Sequence, residues 1–361
     1  MMKRLLFVLL WSVTVLSCSA LPTPYDPPEL IIEVENAIQA ALNETSKKNP
    51  LFEIANTSIL QTDISSDTQF AVSWLVPVDP ETSEPVPIEP GLVLLEFIED
   101  DWQVWLPWSE DWVEMLKKIP DEILSPDHKN TWYGRAVTFA VDTPTTPLDG
   151  YKLPWEAGIT RKLTQSTCHD KYMPSGNAHY AFDFSTTGEQ WDIYAAKDGQ
   201  VWLWKDDVPT CNEFTCSDTQ PLGNYIVLKD EKTNPVTYQL YMHLKQGSIP
   251  KSLKNQGTPV KQGQFIAVVD NTGQSWGSHL HFQVQVPLYG ENFYWGKSVD
   301  ILFDDVDIND GRPRVKNAWC ADDAYCNLPG DICDTFRDTY TSQNDILTGH
   351  PFNIYLPFIE R

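Results

Sequence analysis

The sequence predicts an α+β N-terminal domain followed by an all-β, antiparallel domain. Two observations support this division. Apolar residues near the start recur at helical spacing, and from residue 148 onward short β-branched and aromatic segments alternate with Gly, Asn and Asp turns. At 361 residues the chain is long enough for two domains, and its 42% hydrophobic and 21% charged residues are typical of folded globular proteins.

The first residues are typical of an export signal. Residues 1–17 join a basic start, Met1 to Arg4, to an apolar run that is too short to span a membrane comfortably. The run ends in Val15-Leu16-Ser17-Cys18, which resembles a lipoprotein box, so we expect lipidation at Cys18 and a Pro-rich tether over 18–28. The alternative is cleavage after Ala20 and full secretion.

The cysteine count agrees with an exported protein. Without Cys18 an even set remains, for which disulfides are chemically permitted: Cys168, Cys211, Cys216, Cys320, Cys326 and Cys333. A structural zinc site is the competing interpretation, and the lack of a Cys-x-x-Cys pair disfavours it.

The charge of the chain restricts its partners. With 50 acidic and 26 basic side chains the formal net charge is -24, which disfavours binding to nucleic acid or to anionic lipid surfaces. We therefore expect an exported protein of the cell envelope that binds no nucleic acid, held at the membrane by its lipid.

Residues 29–125 are predicted to form a small α+β accessory domain. Leu30, Val34 and Ile38 lie on one face of a helix that runs to about Thr45. Strand-like runs follow at 70–78, 92–98 and 102–106, the last two joined by a turn at 99–101, and a second helix is expected from Ser109. The region has no ligand or nucleophile constellation, so a spacer or substrate-positioning role is the working hypothesis. A linker is predicted over 126–147.

Residues 148–303 are predicted to form the all-β domain. Its candidate strands cover 178–184, 199–204, 224–229, 237–243, 264–269 and 279–286. Residues 304–361, rich in Asp, Asn and Cys, are expected to form a loop-rich extension.

Four histidines lie within these candidate strands. Side chains two or four positions apart share a strand face, so we expect His179 to lie beside Asp183 and His279 beside His281. His243 ends a third strand. Burying such groups without partners would cost about 1–3 kcal/mol each, and a metal ion removes that cost for several groups at once.

Imidazole and carboxylate ligands suit zinc, and catalytic zinc sites usually have three protein ligands and an open position for water. The five candidate residues are two more than a three-ligand site needs, so histidines remain that could move protons during catalysis. No histidine is followed by Glu, so the helical His-Glu-x-x-His motif is absent. Spacing alone leaves open which of His279 and His281 is the ligand.

Three segments carry a resemblance to a known family. His179-Tyr180-Ala181-Phe182-Asp183, Tyr241-Met242-His243-Leu244 and His279-Leu280-His281-Phe282 match, in order and spacing, the motifs of the lysostaphin/LytM-type zinc peptidases. Framework segments at 194–201, 223–227 and 260–267 agree as well, so that the resemblance covers 148–287. The chain departs from the family pattern at Ala181, where glycine is usual, and in an insertion at 211–218.

The resemblance implies a zinc metalloendopeptidase that hydrolyses peptidoglycan stem peptides or cross-bridges. It assigns one Zn²⁺ per chain to His179, Asp183 and His281, and catalytic roles to His243 and His279. Two alternatives stay open: a zinc endopeptidase for exported proteins or peptides, and a non-enzymatic wall-binding or amidase-activating module. His169 is expected to be exposed to solvent, and Trp276 either packs in the fold or lines the groove.

Overall fold

The computed structural model describes residues 28–48, 57–78, 82, 84–136, 141–166, 169, 177–186, 189–210, 222–288, 294–315 and 335–347. The leader, Cys18 and the other cysteines lie outside these residues, so the lipid and disulfide predictions stay predictions. Among the helices that are described, none combines the length and the apolar character that crossing a membrane requires.

The N-terminal region joins helices to a four-stranded antiparallel meander. Its elements are α1 (Pro28–Lys48), β1 (Thr57–Ile64), β2 (Phe70–Pro77), β3 (Gly91–Ile98), β4 (Asp101–Trp105), α2 (Trp112–Lys118) and α3 (Pro126–Ala136). The predicted first helix and the β3–β4 hairpin are confirmed, and Glu99 and Asp100 adopt the positive φ angles of a tight hairpin turn. Strand β1 was not predicted from the sequence, and helix α3 lies in the region that was predicted to be a linker, 126–147.

The C-terminal region is built almost entirely of short strands. They are β5 (Leu148–Tyr151), β6 (Thr160–Gln165), β7 (Phe182–Ser185), β8 (Asp192–Tyr194), β9 (Gly199–Lys205), β10 (Asn224–Asp230), β11 (Thr237–Leu244), β12 (Pro259–Val260), β13 (Phe265–Val268), β14 (His279–Pro287), β15 (Gly296–Ser298), β16 (Ile301–Phe303) and β17 (Thr339–Thr341).

The main sheet runs in the order β12-β9-β10-β11-β14-β7-β6-β17, and β15 also pairs with β14. Its strand pairs are antiparallel, as are β13 and β8, whereas β16 and β5 pair in parallel. The fold class predicted from the sequence, an α+β N-terminal region before an antiparallel β domain, is therefore confirmed.

The main sheet lies between two apolar cores because its strands alternate sides. Val227, Leu240 and Met242 point into the core shared with the N-terminal helices and meander. Their neighbours Ile226 and Tyr241 point into a second core on the other face. The N-terminal region thus covers one face of the sheet, the face that also carries the polar residues of the candidate site.

Two predicted elements differ from the structure. The strand expected from residue 178 begins only at Phe182, because residues 178–181 form a turn closed by a 2.9 Å hydrogen bond from the Ala181 amide to the Ala178 carbonyl. The predicted C-terminal extension supplies β17, which pairs with β6 and joins the main sheet.

Candidate active site

The polar face of β14 forms the base of the site. His279, His281, Gln283 and Gln285 alternate with Leu280, Phe282 and Val284, which fill the second core, so the four polar side chains share one face. The expected same-face pairing of His279 and His281 therefore holds.

The neighbouring strand β7 brings Asp183 to this face. Asp183 lies directly opposite His281 in the β7–β14 ladder. One carboxylate oxygen, Oδ1, lies 3.3 Å from His281 Nδ1 and 3.9 Å from His279 Nε2. Adjacent strands thus fix three of the predicted site residues side by side, fully buried.

His243 enters from β11 through a distortion of the strand. The β10–β11 ladder slips by one residue here, and His243 adopts a φ of 60°, a left-handed conformation that is unusual for a residue with a side chain. Its Nδ1 donates to the Thr272 carbonyl at 2.8 Å, which leaves Nε2 facing the cluster. The His243 and His279 rings lie 4.6 Å apart, so the two predicted catalytic histidines are brought together.

The segment between β2 and β3, residues 85–90, crosses this face and is called the strap below. Ile88 and Trp276 exchange two backbone hydrogen bonds of 3.1 and 3.0 Å, and Thr164 Oγ1 donates to the Pro87 carbonyl at 3.0 Å. The strap is therefore held by hydrogen bonds to the segment before β14 and to β6. The Trp276 side chain is partly buried and packs against the first apolar core, while its backbone pairs with the strap.

Glu89 on the strap is 2% exposed and reaches into the cluster. Its Oε2 lies 3.5 Å from His169 Nε2 and 3.6 Å from His281 Nδ1, and its Oε1 lies 3.4 Å from His243 Nε2. Sequence reasoning missed this residue, because a glutamate in a Pro-rich loop carries no spacing signal.

His169 also lies in the cluster. The prediction that it is exposed is wrong, since its side chain is fully buried, with Nε2 3.6 Å from Asp183 Oδ2 and the ring 4.7 Å from that of His281. Ligand atoms of Glu89, His169 and His281 all lie within 4.8 Å of one another.

His179 is placed differently from what the motif implies. It lies in the turn before β7, partly exposed, with its ring 4.7 Å from that of Tyr180. The face shared with Asp183 was predicted for a strand that does not reach residue 179. Among the described residues the group of mutually close ligand atoms contains His169 and not His179, so the ligand role of His179 stays a prediction.

The donor atoms of the cluster fit a metal ion. Both Asp183 oxygens, Glu89 Oε2, His279 Nε2 and His281 Nδ1 are buried, and no hydrogen bond within the described residues satisfies them. Burying such atoms is costly unless a cation or donor compensates them. A set of imidazole nitrogens and carboxylate oxygens suits zinc.

The protonation states agree with metal binding. Burial raises the pKa of Asp183, but His169 and His279 outweigh it and hold that pKa below its ordinary value. Burial raises the pKa of Glu89 too, whereas Arg135 and the histidines hold it well below the usual range. Burial lowers the pKa of His279 to about 4 and also lowers that of His281. Ionised carboxylates and neutral imidazoles are the forms that bind metals.

Side chains behind the cluster orient His281. Its Nε2 lies 3.2 Å from Gln283 Oε1, so Nε2 carries the proton and Nδ1 faces the cluster. The Gln283 amide donates to Gln285, which in turn donates to the Tyr294 carbonyl at 2.6 Å. The alternation of His and Gln along β14 was visible in the sequence, although only the histidines were singled out.

A second residue missed by sequence reasoning is Arg135, at the end of α3. It is 1% exposed, and its Nη1 donates to Glu89 Oε1 at 3.1 Å. Its Nε donates to the Tyr294 hydroxyl at 3.3 Å, and its guanidinium lies 4.6 Å from the Trp295 ring centre. The linker predicted over 126–147 therefore contributes a buried cation to the site.

Among solved structures, the catalytic domain of lysostaphin from Staphylococcus simulans matches at 22% identity, over 42% of this chain and 85% of that one, with a TM-score of 0.22. A zinc containing peptidase from Vibrio cholerae matches at 21% identity, over 60% and 52%, with a TM-score of 0.23. A chain of the SpoIIQ-SpoIIIAH pore forming complex matches at 22% identity, over 33% and 65%, with a TM-score of 0.22. The match covers less than two thirds of the Vibrio cholerae peptidase and of the SpoIIQ-SpoIIIAH chain. At TM-scores this low, the structural similarity does not support a conclusion about this chain.

A search of curated proteins found no match. Residues 177–296 match the sequence profile of peptidase family M23, and this range contains Asp183, His243, His279 and His281, whereas Glu89, Arg135 and His169 lie outside it. Residues 177–296 of this chain therefore form a peptidase family M23 domain.

Proposed function

We propose that the chain is a zinc-dependent endopeptidase that hydrolyses peptide bonds in peptidoglycan. The observation that carries this proposal is the convergence of Asp183, His281 and His169 with His243 and His279 on one buried face beneath a groove. The substrate class comes from the family, whose members are zinc peptidoglycan endopeptidases.

In the conformation described, His169, Asp183 and His281 would hold the zinc, and Glu89 would take the fourth position. A bound zinc ion supplies a Lewis acid for the peptide carbonyl and lowers the pKa of an attacking water. Four protein ligands are typical of closed sites, and three ligands with an open position are typical of catalytic ones. Departure of Glu89 would convert the first arrangement into the second.

His243 and His279 are the groups that would move the proton. Each donates its Nδ1 hydrogen to a backbone carbonyl, that of Thr272 at 2.8 Å and that of Gly277 at 3.0 Å. With the proton on Nδ1, the Nε2 of each ring faces the cluster, and burial lowers the pKa of His279 to about 4, so its Nε2 is unprotonated. An imidazole in that state can accept a proton from water and return it to the leaving amine.

The strap indicates how a peptide would lie in the groove. It pairs with the backbone of Trp276 and accepts a hydrogen bond from Thr164. Beyond it a cavity of about 670 Å³ continues between the strap and the Thr160–Gln165 and Phe182–Ser185 strands. An extended peptide could therefore occupy the path of the strap and continue into this cavity, once the strap has left.

The experiment is digestion of purified peptidoglycan by the full chain, with and without chelator, followed by mass analysis of the released peptides. Glu89→Ala should release more peptide than the parent, because it frees the fourth position. Glu110→Ala, at an exposed glutamate that does not line this cavity, is the matched control. Absence of chelator-sensitive cleavage in both the parent and Glu89→Ala would contradict the proposal.

The same experiment separates the alternatives. Cleavage of exported proteins or small peptides, without release from peptidoglycan, would favour the broader endopeptidase. Wall binding by Glu89→Ala at saturating zinc, without cleavage of any peptide bond, would favour a non-enzymatic module. The closed fourth position in the present conformation is the observation that keeps this second alternative in view.

We also propose export to the cell envelope with a lipid anchor at Cys18, on the strength of the leader sequence. Changing Cys18→Ala should move the protein from the membrane fraction to the soluble fraction. Unchanged partitioning would contradict the anchor.

A further inference from the structure

The two oxygens of the Glu89 carboxylate face different groups. Oε2 lies on the side of the candidate metal ligands, 3.5 Å from His169 Nε2 and 3.6 Å from His281 Nδ1. Oε1 lies on the other side, where Arg135 Nη1 donates to it at 3.1 Å and His243 Nε2 lies at 3.4 Å. The site therefore separates the two oxygens of a carboxylate between a metal side and a cationic side.

This is the arrangement that a hydrolysed peptide requires. Water adds to the carbonyl carbon, the C–N bond breaks, and the amine leaves as an ammonium group with both protons of the water, while the new C-terminal carboxylate holds the former carbonyl oxygen and the water oxygen. We infer that Glu89 occupies the place of this carboxylate and that Arg135 is a further catalytic residue, which binds one of its oxygens. The inference rests on the proposed function and names a residue outside the family match.

Arg135 is suited to this role because it stays protonated throughout. Negative charge grows on the carbonyl oxygen as water attacks, and a fixed donor in a buried site stabilises that charge strongly. Arg135 therefore gives and takes no proton, and the proton transfers remain with the histidines. Its Nη2 is also buried and makes no hydrogen bond to the described residues, so a second donor is available for a bound peptide.

Contacts that do not involve the strap hold Arg135 in place. The Tyr294 hydroxyl accepts from its Nε, the Trp295 ring packs beside its guanidinium, and the Asn177 side chain donates to its backbone carbonyl at 3.0 Å. These three partners lie within the M23 domain. Removal of Glu89 should accordingly leave Arg135 at the site.

The competing role is a purely structural one, in which Arg135 only holds the strap down. The two roles predict opposite results once Glu89 is absent. A residue that only holds Glu89 has no function in Glu89→Ala, and its further loss should leave turnover unchanged. A residue that binds the reacting carboxyl oxygen should still be needed.

The test compares Glu89→Ala with Glu89→Ala/Arg135→Ala and Glu89→Ala/Arg135→Lys, all as zinc-loaded full chains. Loss of Arg135 should lower kcat by about 10²–10³, as for removal of one oxyanion donor, with KM changed less, and lysine should restore part of the loss. Glu89→Ala/Arg312→Ala is the control, because Arg312 is also buried but pairs with Asp300. Zinc stoichiometry and unfolding midpoint establish that each variant is folded and loaded.

A second measurement does not depend on turnover. Acetate matches the side-chain atoms that Glu89→Ala removes, so Glu89→Ala should bind acetate at least about tenfold more tightly than neutral acetamide, measured from the ligand-dependent rise in unfolding temperature. Glu89→Ala/Arg135→Ala should lose this preference.

The outcomes separate the inference from the proposed function. Unchanged kcat and an unchanged acetate preference without Arg135 would overturn the inference, while cleavage by Glu89→Ala would leave the proposed function standing. If no variant cleaves peptidoglycan, the proposed function fails, and an acetate preference that depends on Arg135 would still support the carboxylate site.

Discussion

The strand-borne and loop-borne sides of the cluster are held in different ways. Asp183, His279 and His281 lie on adjacent central strands, with β14 paired to β11 and β7 and with β7 paired to β6. Glu89 and His169 come from connecting segments, and the strap is held by a few hydrogen bonds. Moving the strand side would break the main sheet, whereas detaching the strap would break a few hydrogen bonds, the Glu89–Arg135 ion pair and the burial of Ile88, and would leave the sheet paired. The comparison indicates that the strand-borne residues are a fixed part of the site, whereas the loop-borne residues are a part that can be replaced by other groups.

The largest expected effect lies on the strand side. His279→Ala should lower turnover by about 10²–10⁴ with little change in zinc content, because in the proposed mechanism His279 moves a proton and is not a metal ligand. Hydrolysis of one defined peptide beside zinc stoichiometry checks this, in the Glu89→Ala background where the groove is open. Parent-like turnover would remove His279 from the mechanism.

The zinc affinities of two variants should show whether the strand side and the loop side both contribute metal ligands. His281→Ala should weaken zinc binding by more than about 100-fold, and His169→Ala should do the same if the described conformation is the zinc-bound one. Chelator competition gives the affinity. His128→Ala is the matched control, since His128 is buried but lies beside Ser125 at the start of α3.

The His179→Ala variant decides between the structure and the motif. The described geometry predicts that it retains zinc affinity within about threefold of the parent, as expected for a residue outside the coordination sphere. A loss as large as that of His281→Ala would show that His179 replaces His169 when the metal is bound.

On the loop side, Glu89→Gln should weaken zinc binding by about tenfold, a smaller effect than loss of a strand ligand, because a neutral amide oxygen binds zinc more weakly than a carboxylate and water can replace it. Activity should rise as affinity falls. Chelator competition and peptide hydrolysis on the same preparation check both directions. Tighter zinc binding in Glu89→Gln would contradict the assignment of Glu89 as a ligand.

The smallest effect concerns the strap's contact with the groove wall. Gly277 has a φ of 71°, and an added Cβ would lie 3.1 Å from Pro87, whereas Gly247 has a φ of 73° and open space. Gly247→Ala should lower the free energy of unfolding by about 1–2 kcal/mol through backbone strain. Gly277→Ala should cost up to about 1 kcal/mol more, through overpacking, and should raise activity. Denaturant unfolding measures both, and equal losses without activation would show that the strap does not press on Gly277.

The strand-borne residues could be predicted because a period of two needs only local sequence. His279 and His281 share a face of β14 as expected, and Asp183 joins them through register. His243 lies in its predicted strand, but no sequence pattern reveals the bulge or the positive φ angle at this residue. Sequence reading placed it near the cluster without showing how its ring turns inward.

The loop-borne residues could not be predicted for a physical reason. Glu89, Arg135 and His169 reach the site through long-range packing, across separations that no periodicity reports. Arg135 lies in the predicted linker, and the local sequence of Pro126–Ala136 does not indicate that Trp132 and Arg135 are both buried. His169 was judged by its polar neighbours alone.

The order β14-β7-β6-β17 has a consequence for how this protein can be divided. A fragment limited to residues 177–296 contains β7 but neither β6 nor β17, so β7, with the proposed ligand Asp183, would become an open sheet edge. Unpaired backbone groups at such an edge invite pairing with other chains. A soluble fragment should therefore extend beyond the peptidase sequence on both sides, at least to residue 160 and to residue 341, and should keep the N-terminal region that covers one face of the sheet.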